Sequence, residues 1–161
     1  MKYVYHFDSL IGRLFLIEDN GQITNLYFEN DPFVSSNEFL GVYRFEATQL
    51  LLKAEQQLCE YFTGERKIFD LPMKPAGTDF MMAVWSEVAK IPYGETSSYG
   101  EIAIKIGNPK ASRTVGLANN RNPLPIFYPC HRVLGCNGKL VGYRGGVEVK
   151  KLLLDLESKH K

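Results

Sequence analysis

Short runs rich in β-branched and aromatic residues open the chain. Residues 2–7 and 13–18 read as strands, and Ile23 to Phe28 as a third. Asp19-Asn20-Gly21 is a hairpin turn signal between the last two. Asp31-Pro32 ends the third strand, because proline cannot continue a ladder. The period then changes. Ala47, Leu50, Leu51, Ala54, Leu58, Tyr61 and Phe62 recur at helical spacing, which predicts an amphipathic helix over 47–62 that packs on the sheet. Thr63-Gly64 stops it. Cys59 lies beside the apolar stripe and reads as packing. Residues 64–78, with Pro72, Pro75 and Gly77, read as a linker.

The second half is helical in pattern. Phe80, Met81, Val84, Trp85 and Val88 share a stripe that Thr78 or Asp79 caps and Pro92 stops. Trp85 sits on this stripe, so it reads as core and not as a base-stacking platform. Ser98 and Glu101 form a capping box before a short helix ending near Ile106. Gly107 suits its C-terminal position, Asn108 the next N-cap and Pro109 the first turn of a helix over about 110–119. Two helices about a glycine turn form a helix-turn-helix pattern. The second helix offers Ala111, Ser112, Gly116 and Ala118 on its expected exposed face, with Arg113 among them. A major-groove reader carries several Arg, Asn or Gln. Small side chains suit close approach to a groove about 6 Å wide. The last helix shows Val149, Leu152, Leu153 and Leu156 at core spacing. Glu157 falls just off that stripe, and a sheltered carboxylate needs a partner. His131 is a candidate.

Composition changes the picture in two places. The 161 residues are 45% hydrophobic and 23% charged, as in ordinary globular domains. No run is long enough for a membrane span, and no secretory leader is visible. Three cysteines (Cys59, Cys130, Cys136) without a CxxC pair suit a reducing, cytoplasmic setting. With three histidines they form no metal-ligand spacing, so no metal is expected. The net charge is only +1, but residues 1–96 hold 8 Lys/Arg against 14 Asp/Glu, while 97–161 hold 11 against 4. The basic half points to a polyanionic partner.

The candidate chemistry lies at Pro129-Cys130-His131-Arg132-Val133, behind the apolar run Leu124-Pro125-Ile126-Phe127-Tyr128. Pro129 favours an extended Tyr128, which would hold Cys130 at the end of a rigid buried segment. A thiol there is inert unless its pKa is lowered or a base takes its proton. His131 is the candidate base, but neighbours in an extended chain point to opposite faces. Contact would need a turn or a bridging water. Spacing alone favours a buried structural cysteine.

The wider window is more specific. Asn122-Pro123-Leu124-Pro125-Ile126, then Pro129-Cys130-His131-Arg132-Val133, then Gly142-Tyr143-Arg144-Gly145-Gly146 closely resembles the O6-alkylguanine-DNA alkyltransferases, strongly from about Thr78 to Glu157 and more loosely at Asp8-Ser9-Leu10-Ile11-Gly12. The resemblance implies an α+β protein with two domains. Residues 1–74 would be a small N-terminal support domain, an antiparallel sheet plus helix. Residues 75–161 would be a mainly helical domain with the helix-turn-helix. It implies a partner, double-stranded DNA bearing O6-alkylguanine, bound from the minor groove by a monomer without a cofactor. The alkyl group would move once, irreversibly, to Cys130. His131 would take the thiol proton through a water, and Glu157 would orient the imidazole. Tyr99 would meet guanine N3, the backbone N–H near Arg144 would meet O6, and the carbonyls of Cys130 and Val133 would read the amino group. Asn122 would be a hinge. Tyr143 would pack on the base, with Gly145 giving close approach. Arg113 would fill the space of the flipped nucleotide beside Ala111 and Ser112. Lys105, Lys110 and Arg121 would bind phosphates. Three other classes compete: a lesion sensor, which would lack the motif cysteine; a sequence-specific regulator, which the small-residue helix disfavours; and a cysteine hydrolase, which only common residues support.

Overall fold

The computed structural model describes residues 1–36 and 41–161. The chain divides into two compact units, Met1–Pro75 and Ala76–Lys161.

In the first unit, β1 (Lys2–Ser9), β2 (Gly12–Asp19) and β3 (Gln22–Phe28) form an antiparallel meander. Asn20 and Gly21 take positive φ at the second hairpin, as a tight turn between twisted strands requires. After the short α1 (Pro32–Ser35) comes a fourth strand, β4 (Tyr43–Phe45), which pairs parallel to β1. The sheet is therefore mixed, in the order β3-β2-β1-β4, where the pattern suggested antiparallel pairing alone. Three residues, two of them exposed, are too few to show a period.

Both faces of β2 are buried from Leu14 to Ile17. Val4, Phe15 and Ile17 pack with Tyr27, Phe33, Val34 and Tyr43. The opposite face meets α2 (Gln49–Phe62), to which the Tyr5 hydroxyl donates at Glu55 (2.7 Å). Thr48 caps α2 by accepting from the Leu51 N–H, and it donates to Glu18 (2.6 Å). Ala47 stays outside the helix. Gln57 occupies a buried position on α2 and Cys59 an exposed one, so Cys59 does not pack as expected. The Gln57 amide explains the exchange. It makes two hydrogen bonds to the Asp70 backbone (2.9 and 3.1 Å) and is satisfied inside. The stretch read as a linker is thus fastened. The Ile23 N–H donates to Pro72 O and the Lys74 N–H to Ile23 O.

In the second unit, Thr78 caps α3 (Asp79–Val88). Trp85 is buried and its indole donates to Ala118 O (2.8 Å). The two-residue β5 (Ser97–Ser98) leads into α4 (Tyr99–Lys105), whose N-cap Ser98 accepts from the Glu101 N–H. The next helix, α5 (Ser112–Asn120), begins later than expected. Asn108, Pro109 and Lys110 form a turn closed by the Ala111 N–H on Asn108 O, and Ala111 is the N-cap. This start turns Ala118 inward, while Ser112 and Arg113 stay exposed. A short strand β6 (Val133–Leu134) pairs parallel to β5, and α6 (Val147–His160) ends the fold.

Candidate active site

The segment before Cys130 is bent, not extended. Ile126 has φ 76°, a left-handed conformation that a β-branched residue avoids, at a cost of about 1–3 kcal/mol. Its burial in the core holds it there. Asn122 fixes the same bend. Its amide donates to Tyr128 O (2.8 Å) and its Oδ1 accepts from the Leu124 N–H (3.0 Å). Arg144 donates through its side chain to Asn122 O (2.8 Å). Residues Cys130–Arg132 then form one 3-10 turn, closed by the Arg132 N–H on Pro129 O (2.9 Å). This turn replaces the expected extended geometry at Cys130 and His131. Pro129 has no N–H, and its ψ of 65° cannot continue a strand.

Cys130 is 4% exposed and unbridged. Burial pushes its thiol pKa up, opposed by a hydrogen bond from Asn122 and by the charges of Arg144 and Lys150. The resting group is a thiol in surroundings that would support a thiolate once the proton leaves.

His131 is fully buried. Its Nε2 lies 2.6 Å from Glu157 Oε2. Arg132 grips the same carboxylate with Nε (2.8 Å) and Nη2 (3.0 Å), and the Gly94 N–H adds a fourth contact (3.1 Å). Arg132 also donates to Ile91 O and lies over the Tyr93 ring. Arg132 escaped the sequence reading, although it sits inside the pentapeptide, because nothing in spacing reveals a bidentate partner 25 residues away. Burial alone would raise the Glu157 pKa. The hydrogen bonds from His131 and Arg132 overcome it and bring the carboxyl down to about 2. Burial pushes the His131 pKa below its ordinary value, against the pull of Glu157. The imidazole is therefore neutral, donates Nε2–H to the carboxylate and carries its lone pair on Nδ1.

Both shifts act on stability in one direction. As pH falls through the ordinary histidine value of 6.5, the unfolded chain takes up a proton that buried His131 refuses. Below 4.5 the unfolded chain also protonates Glu157, which the native state keeps charged down to about 2. The unfolded state binds more protons in both windows, so stability falls with falling pH. Urea midpoints measured from about pH 8 to 4 should be level above 7 and decline below 6.5, most steeply below 4.5. A flat profile would contradict the neutral His131 and charged Glu157 assignments.

Lys150 is a second omission of the sequence reading. It is 0% exposed and donates to Val133 O (2.6 Å) and Val141 O (3.0 Å), which ties both ends of the 134–140 loop. The Tyr99 hydroxyl also donates to Val141 O (3.3 Å). Tyr143 is buried close to Cys130, and its burial drives its phenol pKa well up. The Cys130 carbonyl accepts from Asn119 Nδ2 (3.1 Å) and from the Val133 N–H, and the Val133 carbonyl accepts from Lys150 Nζ (2.6 Å). Gly145 is half-buried in the turn before α6.

The other candidates lie apart from the thiol. Ser112, Arg113, Lys110, Lys105 and Arg121 are exposed and Ala111 half-exposed. Ser112 and Arg113 line an open groove of about 710 Å³ with Tyr99 and Gly135, whose lining does not include Cys130. Among the described residues, no cluster of three or more His, Cys, Asp or Glu could hold a metal ion, and no helix is long and apolar enough to cross a membrane.

Two sequence-family models match this chain. The 6-O-methylguanine DNA methyltransferase DNA-binding domain matches residues 79–159 and the ribonuclease-like domain of the same proteins matches 1–75. The chain belongs to the 6-O-methylguanine DNA methyltransferase family. It is 45% identical over 158 residues to the constitutive methylated-DNA–protein-cysteine methyltransferase of Bacillus subtilis, covering 98% of this chain and 96% of that protein. The Haemophilus influenzae methylated-DNA–protein-cysteine methyltransferase is 39% identical, over 96% of this chain and 86% of its own. The structure of the Mycobacterium tuberculosis O6-methylguanine methyltransferase superposes with a TM-score of 0.90 at 42% identity, covering 100% of this chain and 95% of the other. The M. tuberculosis protein has also been solved in complex with DNA, and that structure superposes at 0.89 with 42% identity, over 98% and 94% of the two chains. Methyltransferases of this family are DNA-directed proteins whose acceptor is a cysteine. Of the three cysteines in this chain, Cys130 alone is buried.

Proposed function

We propose that this protein repairs DNA by direct reversal of damage, taking the alkyl group from O6-alkylguanine onto Cys130 in one irreversible turnover. One observation carries the reading. The unbridged buried thiol adjoins a neutral histidine whose Nε2 lies 2.6 Å from a buried carboxylate. This supports a nucleophile–base–orienter reading of Cys130, His131 and Glu157.

The proton of Cys130 passes to His131 Nδ1 through a water. The thiolate attacks the alkyl carbon, the S–C bond forms and the C–O6 bond breaks. The electron pair leaves with guanine. Tyr99 meets that charge with a hydrogen bond at N3 and the N–H near Arg144 does so at O6. Glu157 and Arg132 hold the imidazole in the tautomer that can accept, and the thiol proton held on His131 is passed to solvent while the guanine anion takes one proton from solvent and leaves as neutral guanine. The Cys130 and Val133 carbonyls read the guanine amino group, Cys130 O by sharing a lone pair that Asn119 or Val133 holds in the free protein. Tyr143 flanks the base, and Gly145 lets the backbone approach it.

The thiol is nearly closed to solvent, so the base must leave the duplex to reach it, at a cost of about a few kcal/mol. Arg113, exposed at the first turn of α5, is suited to enter the minor groove and fill the vacated stack, with Ala111 and Ser112 small enough to let the helix approach. Lys105, Lys110 and Arg121 bind phosphates without regard to sequence. Asn122 fixes the bend that presents Cys130. The protein acts as a monomer and needs no cofactor, because it is both catalyst and acceptor. Its three unbridged cysteines suit the cytoplasm.

The test is incubation with duplex DNA bearing one O6-methylguanine, followed by intact-protein and peptide mass spectrometry. A mass gain of one methylene, confined to the Cys130 peptide and limited to one per chain, is the expected result. Lesion binding without an adduct would move the protein to the sensor class. Repeated turnover would end the acceptor reading.

A further inference from the structure

Asn119 has no part in the steps above, and its setting is unusual. It lies on α5 at 1% exposure. One N–H of its amide donates to Cys130 O (3.1 Å), while its Oδ1 is buried with no hydrogen-bond partner. Burying an unmatched acceptor costs stability, and a leucine would fill the same space without that cost. The amide is therefore tied to what its nitrogen does. Tyr99 approaches the same part of α5. A Cβ built on Gly116, three residues before Asn119, would sit 3.8 Å from the Tyr99 ring, and one built on Gly142 would sit 3.7 Å from its hydroxyl.

We propose that Asn119 is a positioning residue for alkyl transfer, its amide holding the Cys130 carbonyl while supporting the Tyr99 hydroxyl that faces guanine N3. The inference rests on the assignment of Tyr99 to N3. Donor and acceptor counts favour it. Nδ2 carries two hydrogens, and Cys130 O takes one. The single hydroxyl hydrogen of Tyr99 goes to Val141 O in the free protein (3.3 Å) and to N3 in the complex, and in either state the phenolic oxygen can accept. The second Asn119 N–H is the donor at hand. An N–H···O–H···N3 chain polarises along its length, so the hydroxyl donates more strongly as charge develops on guanine. The environment of Tyr99 agrees. Burial pushes its pKa up, and the Asn119 side chain pulls it back down. The same amide sets the direction of the Cys130 carbonyl, so one side chain on the DNA-facing helix couples the nucleophile's segment to the leaving-group donor.

Single-turnover rates decide the matter, measured on two duplexes. One carries O6-methylguanine and the other O6-methyl-3-deazaguanine, in which carbon replaces N3. Wild type should prefer the first by about tenfold, the value of one hydrogen bond to developing charge. Asn119→Leu and Tyr99→Phe should each lose most of that preference, and the double variant should be no slower than Tyr99→Phe. An Asn119→Leu protein that slows equally on both substrates, with the preference intact, would overturn the inference and leave Asn119 a structural residue. A wild type without any preference would bring down the Tyr99–N3 assignment and the inference with it. The readout is a ratio of rates within one protein, so partial unfolding does not imitate it. Asn119→Ser, smaller and with one donor, serves if the leucine variant does not fold.

Discussion

Cys130→Ala should abolish alkyl transfer while lesion DNA still binds within about threefold of wild type, since phosphate contacts carry most of the affinity. The argument is chemical. Transfer needs a thiolate beside a base, and Cys130 is the cysteine set among Asn122, Arg144 and Lys150, each of which favours its ionised form. Cys136 and Cys59 are exposed, and partial shielding of the Cys59 thiol with the neighbouring Glu55 and Glu60 carboxylates holds its pKa up. The substitution removes one sulfur atom from the core, a change that costs on the order of 1 kcal/mol and leaves the fold standing. Rapid-quench assays on a lesion duplex, paired with fluorescence anisotropy on the same duplex, measure both halves of the expectation. Methylation of Cys136 in the variant would mean that the thiol is not selected by its surroundings. Loss of DNA binding would mean that Cys130 shapes the interface itself.

Glu157→Ala should have the largest effect on stability. It strips Arg132 of a bidentate partner and His131 of its acceptor, inside a site where the carboxylate is 1% exposed. Removing one member of a buried ion pair costs about 3–5 kcal/mol, because the remaining charge has no replacement solvent. Transfer should also slow by about a hundredfold, since the imidazole loses the contact that fixes its tautomer. Glu157→Gln separates the two effects. Its amide keeps the volume and one acceptor, so it should recover part of the stability while transfer remains slow. Urea unfolding and single-turnover kinetics on the three proteins suffice. Equal stability in wild type and Glu157→Ala would show that the His131–Glu157–Arg132 group is not held together as the distances indicate.

Much of this protein was legible in order. The three long strands, the amphipathic helix over the sheet and the caps at Thr78 and Ser98 follow from local rules. So does Trp85 as core. Pro129-Cys130-His131-Arg132-Val133 in its wider window carried the family and the chemistry. The failures are equally physical. β4 is too short and too exposed to leave a period. The start of α5 went to Ala111, because the Asn108–Ala111 hydrogen bond closes a turn that cap preference alone could not weigh against a helix. Gln57 sits inside and Cys59 outside because an amide with two backbone partners outcompetes a thiol with none in the core.

The last helix marks the limit most plainly. Apolar spacing assigned its core face to Val149, Leu152, Leu153 and Leu156. The fully buried positions are Lys150, Leu153 and Glu157. Two charges lie on the inner face because each meets partners from distant chain segments: the carbonyls of Val133 and Val141 for Lys150, His131 and Arg132 for Glu157. The sequence by itself determined the strands and helices, the basic half and the reactive pentapeptide, since those depend on neighbours within a few residues. Only the tertiary structure decided the bend at Ile126, the fourfold grip on Glu157 and the place of Asn119. A hydrogen-bond partner within about 3 Å offsets the usual cost of burying a polar group, and no local pattern records who that partner will be.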